Sequence, residues 1–324
     1  MIDLNIVVDR LLDMKPDPVP EFILLKEFKG LNPGSREYQN AYDRVCSHPF
    51  VRKIENEQND RGFWPLFHGY TESLIRRCLS MGLDKEHKCL NKVSDYIKKV
   101  LDNKESWDQF EKQDNTRWWP EMFVPLVSAA MLSLIEPDSD ILDLHRNRWA
   151  DFAETAFSLG YYDKGAEARV QCEYFGFTTK RTIPAFGYYN LILLAPTGKE
   201  NYLSDKADQA LVDYCMNFAE QIYYVYNCKL SDFVPIGIKR RDSRDFCHWM
   251  RALSLISQFN GWMKYKDKYI EWILEQRNGE GFWELPRKPD LFNFPLSDFW
   301  RNRKNRIIDS TIMVLRFLNN NRAF

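Results

Sequence analysis

The side chains best suited to moving protons in this sequence each sit at or near the start of a helical pattern. His68 lies in Phe67-His68-Gly69-Tyr70, where an imidazole titrates near neutral pH and can act as acid or base. Tyr70 pairs naturally with it. Glu121 follows Trp118-Trp119-Pro120, Asp245 and His248 stand one helical turn apart, and Asp309 begins the last helical pattern. A carboxylate held against Trp118 and Trp119 would stay protonated and serve as an acid, whereas one among arginines would be ionised. The competing explanation is structural. Glu121, Asp245 and Asp309 are acids in a first helical turn, which the helix macrodipole favours without any catalysis.

The elements that must position these groups are helices. Apolar residues at Leu4, Val7, Val8, Leu11 and Leu12 give one helical face over 2–14, and a proline-rich break over 15–20 precedes a short helix over 21–28. The spacing predicts further helices over 35–58, interrupted at Pro49, and over 70–81, 86–101, 118–135, 140–159, 183–195, 204–226, 245–259, 264–277 and 307–318, with a short helical piece over 104–112. The stretch 161–182 is poorly legible: Glu167, Arg169 and Glu173 fit one helical face, but Gly176 and Thr178-Thr179 argue for a loop. From residue 35 onward, polar-faced helices alternate with apolar ones. An outer layer facing water and an inner layer facing protein require that alternation, so the expectation is an all-α chain of about five outer-to-inner pairs. The whole of 1–324 reads as one domain, with 1–34 as an incomplete first pair.

Two stretches repeat a device. Glu57-Gln58-Asn59-Asp60-Arg61-Gly62-Phe63-Trp64 and Glu275-Gln276-Arg277-Asn278-Gly279-Glu280-Gly281-Phe282-Trp283 each close a helical pattern, turn on glycine and present Phe-Trp. Glycine supplies the positive φ that a clean helix exit needs, and the Phe-Trp pair is a large apolar anchor with one indole donor. Their Gln-(Asn/Asp)-x-Gly-x-Trp character resembles the repeat of the squalene cyclase and protein prenyltransferase superfamily, and 309–315 resembles the inner-helix start that follows this turn in those proteins. The resemblance implies an α/α toroid of antiparallel helix pairs. It is carried at the two ends of the chain and is thin between about 100 and 240.

In such a toroid all outer-to-inner connections emerge at one end. They carry Arg61, Arg117, Lys180 and Arg181, Lys239, Arg240, Arg241 and Arg244, then Arg301, Arg303, Lys304 and Arg306. Bases before a helix run against the macrodipole, so a basic rim facing an anionic ligand is one expectation. Neutralisation by Asp60, Asp242, Asp298 and Glu284 is the other. Two motifs of the superfamily transfer only in part. Class II terpene cyclases use an Asp-x-Asp-Asp acid, and Asp138-Ser139-Asp140 lacks the last aspartate. Prenyltransferases hold zinc with Asp-x-Cys and a later histidine; Asp245-Phe246-Cys247 resembles the first half, but the later position is Asp309. Zinc or magnesium is therefore left open as a cofactor, with Asp245, Cys247 and Asp309 as the ligands implied.

Composition bounds the rest. Forty-five Lys+Arg against 46 Asp+Glu leave a net charge of -1, which argues against a nucleic-acid binder working through bulk positive charge. Seven cysteines, an odd number without Cys-x-x-Cys, indicate neither a disulfide framework nor a zinc ribbon, and a cytoplasmic setting is expected. No signal peptide and no spanning helix are expected. Oligomeric state is left open. Three functions fit: an enzyme taking a prenyl diphosphate-like small molecule into an aromatic cavity, with Trp118, Trp119, Asp309 and the arginines as binding groups; a lyase or hydrolase on uronate-containing sugars using His68 and Tyr70 or a carboxylate pair; and a non-catalytic binding protein.

Overall fold

The computed structural model describes residues 4–65, 67–107, 117–176, 181–197, 201–218, 229–236, 240–285 and 295–321, with backbone alone at Phe67 and 240–244. Its helices are α1 (Leu4–Asp13), α2 (Pro18–Ile23), α3 (Arg36–Cys46), α4 (Pro49–Glu57), α5 (Glu72–Ser80), α6 (Lys88–Leu101), α7 (Val124–Ile135), α8 (Ile141–Phe157), α9 (Lys164–Phe175), α10 (Tyr188–Leu194), α11 (Asp205–Asn217), α12 (Arg240–Ile256), α13 (Lys266–Glu275) and α14 (Arg303–Asn320). Among the described residues there is no β-strand, and no helix is long and apolar enough to cross a membrane. The chain is all-α.

Local chemistry explains the boundaries. The side chains of Ser35, Asp163, Ser204 and Asn302 each accept a backbone N–H in the first turn of the helix that follows. Proline did not act as expected over 15–20. Pro18 opens α2 and Pro20 lies in its first turn, where no N–H is needed, so the helix starts inside the stretch read as a break. Pro49 likewise opens a separate α4 rather than denting one long helix. The stretch 161–182 contains α9, stopped by Gly176 in the left-handed conformation (φ 65°). Residues 104–107 are not helical; the rest of the short piece read over 104–112, like the end of the helix read over 204–226, lies outside the described residues.

Helix α7 is buried on nearly every side, with Leu126, Val127, Ala129, Ala130, Met131 and Leu132 inaccessible to water. It packs on α5, α6, α8 and α10, and α10 in turn meets α12. The two ends of the chain also meet. Arg10 donates to the Glu280 carbonyl at 2.8 Å, and Asp17 accepts from Asp298 N and Asn305 Nδ2 at 2.9 and 3.1 Å. Arg316 of α14 grips Glu27 with both ends of its guanidinium and reaches the Ser80 carbonyl of α5 at 3.0 Å.

The repeated device has one hydrogen-bond pattern in both copies. Asn59 N donates to Phe63 O and Asn278 N to Phe282 O, while the Asn59 and Asn278 side chains accept from Phe63 N and Phe282 N. Gly62 and Gly281 both have positive φ, 97° and 83°. The indole of Trp64 donates to Ile54 O at 2.8 Å, that of Trp283 to Ile273 O at 2.7 Å, and both rings are fully buried. Each Trp backbone then exchanges two hydrogen bonds with a threonine hydroxyl, Thr71 in the first copy and Thr311 in the second. Burying one such ring contributes about 5 kcal/mol before entropy, at ~25 cal/mol per Å² over ~200 Å².

Candidate functional site

The first copy of the turn delivers the chain to α5 through a kinked segment, Phe67–Thr71, in which His68 and Gly69 (φ 89°) leave helical geometry. That kink swings His68 back over α5. Its Nδ1 lies 2.6 Å from Glu72 Oε1, which also accepts Gly69 N at 3.2 Å, and Glu72 Oε2 accepts the Tyr189 hydroxyl at 2.8 Å. Glu72 is 4% exposed. The Glu72 carboxylate thus fixes the orientation of the imidazole ring through Nδ1, as a general base requires. Burial, and next the facing Glu72, push the Tyr189 phenol far above its ordinary value, so it stays a hydrogen-bond donor. Aromatic rings enclose His68: Phe123 at 5.1 Å, Trp119 and Tyr189 each at 6.5 Å between centroids.

One turn further along α5 stands Arg76, which lines a cavity of about 360 Å³. Helix α5 gives it Arg76 and Ser80; α12 gives Cys247, Met250, Arg251 and Ser254; α14 gives Asp309, Ser310, Met313, Arg316, Phe317 and Asn320. Leu285, Leu296 and Trp300 also line it. The volume lies at the small end of the range usual for small-molecule sites, roughly 300–1,000 Å³. Arg76 and Arg251 share one partner, Tyr188: Arg251 sits 4.6 Å from its ring centre and Arg76 Nη1 lies 3.4 Å from its hydroxyl. Burial, with a smaller contribution from Arg76, lowers the pKa of the Arg251 guanidinium. Consecutive residues of α10, Tyr188 and Tyr189, thus connect the cavity to the His68–Glu72 pair.

Among the described residues Asp309 is the one carboxyl lining the cavity, and its oxygens are already engaged. Oδ2 accepts Leu296 N and Ser297 N at 2.8 and 3.0 Å, and Oδ1 accepts the Ser297 hydroxyl at 2.6 Å. Burial raises its pKa to about 6 against those hydrogen bonds. It pins the 295–297 backbone beside the cavity. The indole N–H of Trp300 is buried and has no acceptor among the described residues.

The other sequence-selected residues are distributed as follows. Arg61 pairs with Glu105 at 2.5 Å and lies over Phe63 and Tyr96. Arg117 and Glu121 form a bidentate exposed pair at 2.5 and 2.7 Å. Trp118 donates to the Arg181 carbonyl at 2.6 Å, with the Arg181 guanidinium 5.8 Å from its ring. Arg306 and Arg303 both face Glu284, and Lys304 donates to the Lys15 carbonyl. Tyr70 is 41% exposed, its hydroxyl 3.4 Å from Glu57. Asp245 and His248 lie on α12 and are not among the residues lining the cavity, while their neighbour Cys247 is. The side chains of Arg240, Arg241 and Arg244, and Lys180 and Lys239 entirely, lie outside the described residues. Trp119 packs with Trp118 and Phe123 around His68.

Of the metal ligands the resemblance implied, Cys247 and Asp309 line the same cavity, but the three do not gather their ligand atoms. Among the described residues the group of three that does so is Glu55, His87 and Cys89. Sequence reading passed over Glu72, Arg76, Arg251 and Arg316. A signal was present for Glu72 and Arg76, whose offsets of four and eight from His68 lay them along one helical face. No family model matches this chain, and neither curated proteins nor solved structures provide a match.

Proposed function

We propose that the helix pairs close into an α/α toroid and that the cavity among α5, α12 and α14 binds an anionic, partly apolar small molecule of the prenyl diphosphate type. Closure is supported by the meeting of the chain ends and by the run of contacts from α5 through α7 and α10 to α12. The observation that carries the ligand class is the lining: the guanidiniums of Arg76 and Arg251, with that of Arg316 already paired to Glu27, and among the described residues one engaged carboxyl, with Met250, Met313, Leu285, Leu296 and Phe317 as apolar walls. The anionic group is held at Arg76 and Arg251 by charge-assisted hydrogen bonds, and the apolar part lies against the walls. Trp300 offers a further donor. His68, oriented by Glu72, lies outside the lining and is joined to it through Tyr189 and Tyr188; it is the group to which this reading assigns proton transfer. These walls suit an isoprenoid better than a sugar, which needs polar partners along its length.

Calorimetric titration with geranyl diphosphate, farnesyl diphosphate, inorganic diphosphate and glucuronate tests this reading. The prenyl diphosphates bind more tightly than inorganic diphosphate, and glucuronate does not bind. Arg251→Gln removes a charged donor worth about 1.5–3 kcal/mol, so affinity falls roughly 10- to 100-fold. His68→Gln leaves affinity nearly unchanged and abolishes any turnover. Absence of prenyl diphosphate binding, or unchanged affinity in Arg251→Gln, would reject the reading.

A further inference from the structure

Away from the cavity, three residues of metal-ligating type converge where α4 meets the start of α6. Glu55 is on α4, His87 is the residue preceding α6, and Cys89 lies in its first turn. A carboxylate oxygen, an imidazole nitrogen and the thiol sulfur all lie within 4.8 Å of one another. The set is enclosed: the side chains of Glu55 and His87 are 10% and 5% exposed, and Cys89 is 1% exposed.

We propose that Glu55, His87 and Cys89 form a binding site for a borderline divalent metal ion of the zinc class. The separation of His87 Nε2 from Glu55 Oε1 is 3.4 Å, long for a hydrogen bond to a carboxylate. It matches the edge of a tetrahedron with metal–ligand bonds of about 2.0–2.2 Å, which is ~3.4 Å. Nitrogen, oxygen and sulfur donors together select zinc or cobalt over calcium or magnesium, which take oxygen alone.

Two existing contacts yield to the ion. Lys88 Nζ lies 2.9 Å from Glu55 Oε2, but its side chain is 64% exposed and can swing into water. The Cys89 N–H points at His87 Nδ1 across a long 3.4 Å, and a metal at Nε2 puts the ring proton on Nδ1 and gives this contact up. The Cys89 thiol releases its proton to solvent as the metal–sulfur bond forms. The site fastens α4 to α6 beside Ile54, whose carbonyl receives the Trp64 indole. It is independent of the ligand proposed for the cavity.

The test is titration of chelator-treated protein with Co²⁺, read by thiolate-to-cobalt absorption in the near ultraviolet, followed by competition with Zn²⁺. One equivalent of Co²⁺ gives a tetrahedral, sulfur-ligated spectrum that Zn²⁺ displaces. Cys89→Ala abolishes the absorption, Glu55→Gln weakens binding at least tenfold, and Lys88→Ala strengthens it a few-fold by removing the competing ammonium. Should Cys89→Ala fail to fold, the Glu55→Gln and Lys88→Ala measurements stand in its place. A wild-type spectrum without sulfur ligation, or Glu55→Gln and Lys88→Ala indistinguishable from wild type, overturns the site.

Discussion

The turns at Asn59–Trp64 and Asn278–Trp283 share their hydrogen bonds almost bond for bond, yet they feed different machinery. In the first, Trp64 is separated from its threonine by seven residues, and those residues carry His68. In the second the separation is 28, and the inserted chain forms part of the cavity wall through Leu285, Leu296 and Trp300. Two residues before the threonine stands Gly69 in one copy and Asp309 in the other; five residues after it both copies have arginine, Arg76 and Arg316, and both arginines line the cavity. The turn is therefore a mounting whose geometry is local. What it mounts is decided by the chain between tryptophan and threonine.

The largest difference between the copies is expected at their glycines. A methyl group at Gly62 would lie 2.4 Å from the Lys92 carbonyl oxygen, backbone that cannot step aside, whereas at Gly281 it would meet the end of the Arg10 side chain at 3.4 Å. Both positions add the strain of positive φ, about 1–2 kcal/mol. Chemical denaturation of Gly281→Ala should show roughly that loss, and Gly62→Ala a loss of about 4 kcal/mol or more. Equal losses would mean that the environment of the turn does not distinguish the copies.

The second contrast is in pH. Asp309 titrates in the folded protein at about 6, above the ~3.9 of an unfolded aspartate. Between those values the native state holds a proton that the unfolded chain has released. The group's contribution to stability is thus full below about pH 4 and lost as pH rises to about 6, on the order of 3 kcal/mol across the window. Asp309→Asn should remove this dependence, measured as the unfolding free energy at pH 4 and 6.5, while Gly69→Ala in the first copy leaves it in place.

The smallest contrast lies at the threonines. Thr71 Oγ1 accepts from Trp64 N at 3.1 Å and donates to Trp64 O at 2.8 Å; the Thr311 bonds are 3.3 and 3.2 Å. Thr71→Val should cost about 1–3 kcal/mol through two unsatisfied buried groups. Thr311→Val should cost less, and the reverse order would show that length is no guide to these bonds.

Much of the fold was written in local chemistry. Apolar periodicity located most helices, and glycine followed by Phe-Trp marked both turns, because helix formation and a positive-φ exit depend on neighbours within a few residues. The errors also had local causes: Pro18 and Pro49 open helices where they were read as breaks, and Gly176 ends a helix whose body, α9, carries a mixed surface. The site was far less legible. His68, Cys247 and Asp309 could be singled out by type, but Arg76, Arg251 and Arg316 looked like surface charges in a chain rich in them.

The sequence alone determined that this protein is helical and that one turn is used twice. Tertiary structure alone decided which charges face the same space. Arg117 and Glu121, four apart, neutralise each other at the surface, while Arg76, Arg251 and Arg316 come from three separate helices to line one cavity. The physical reason is range. A helix is closed by hydrogen bonds four residues long, whereas a cavity is bounded by side chains from helices far apart in the chain, whose meeting depends on how every intervening helix packs.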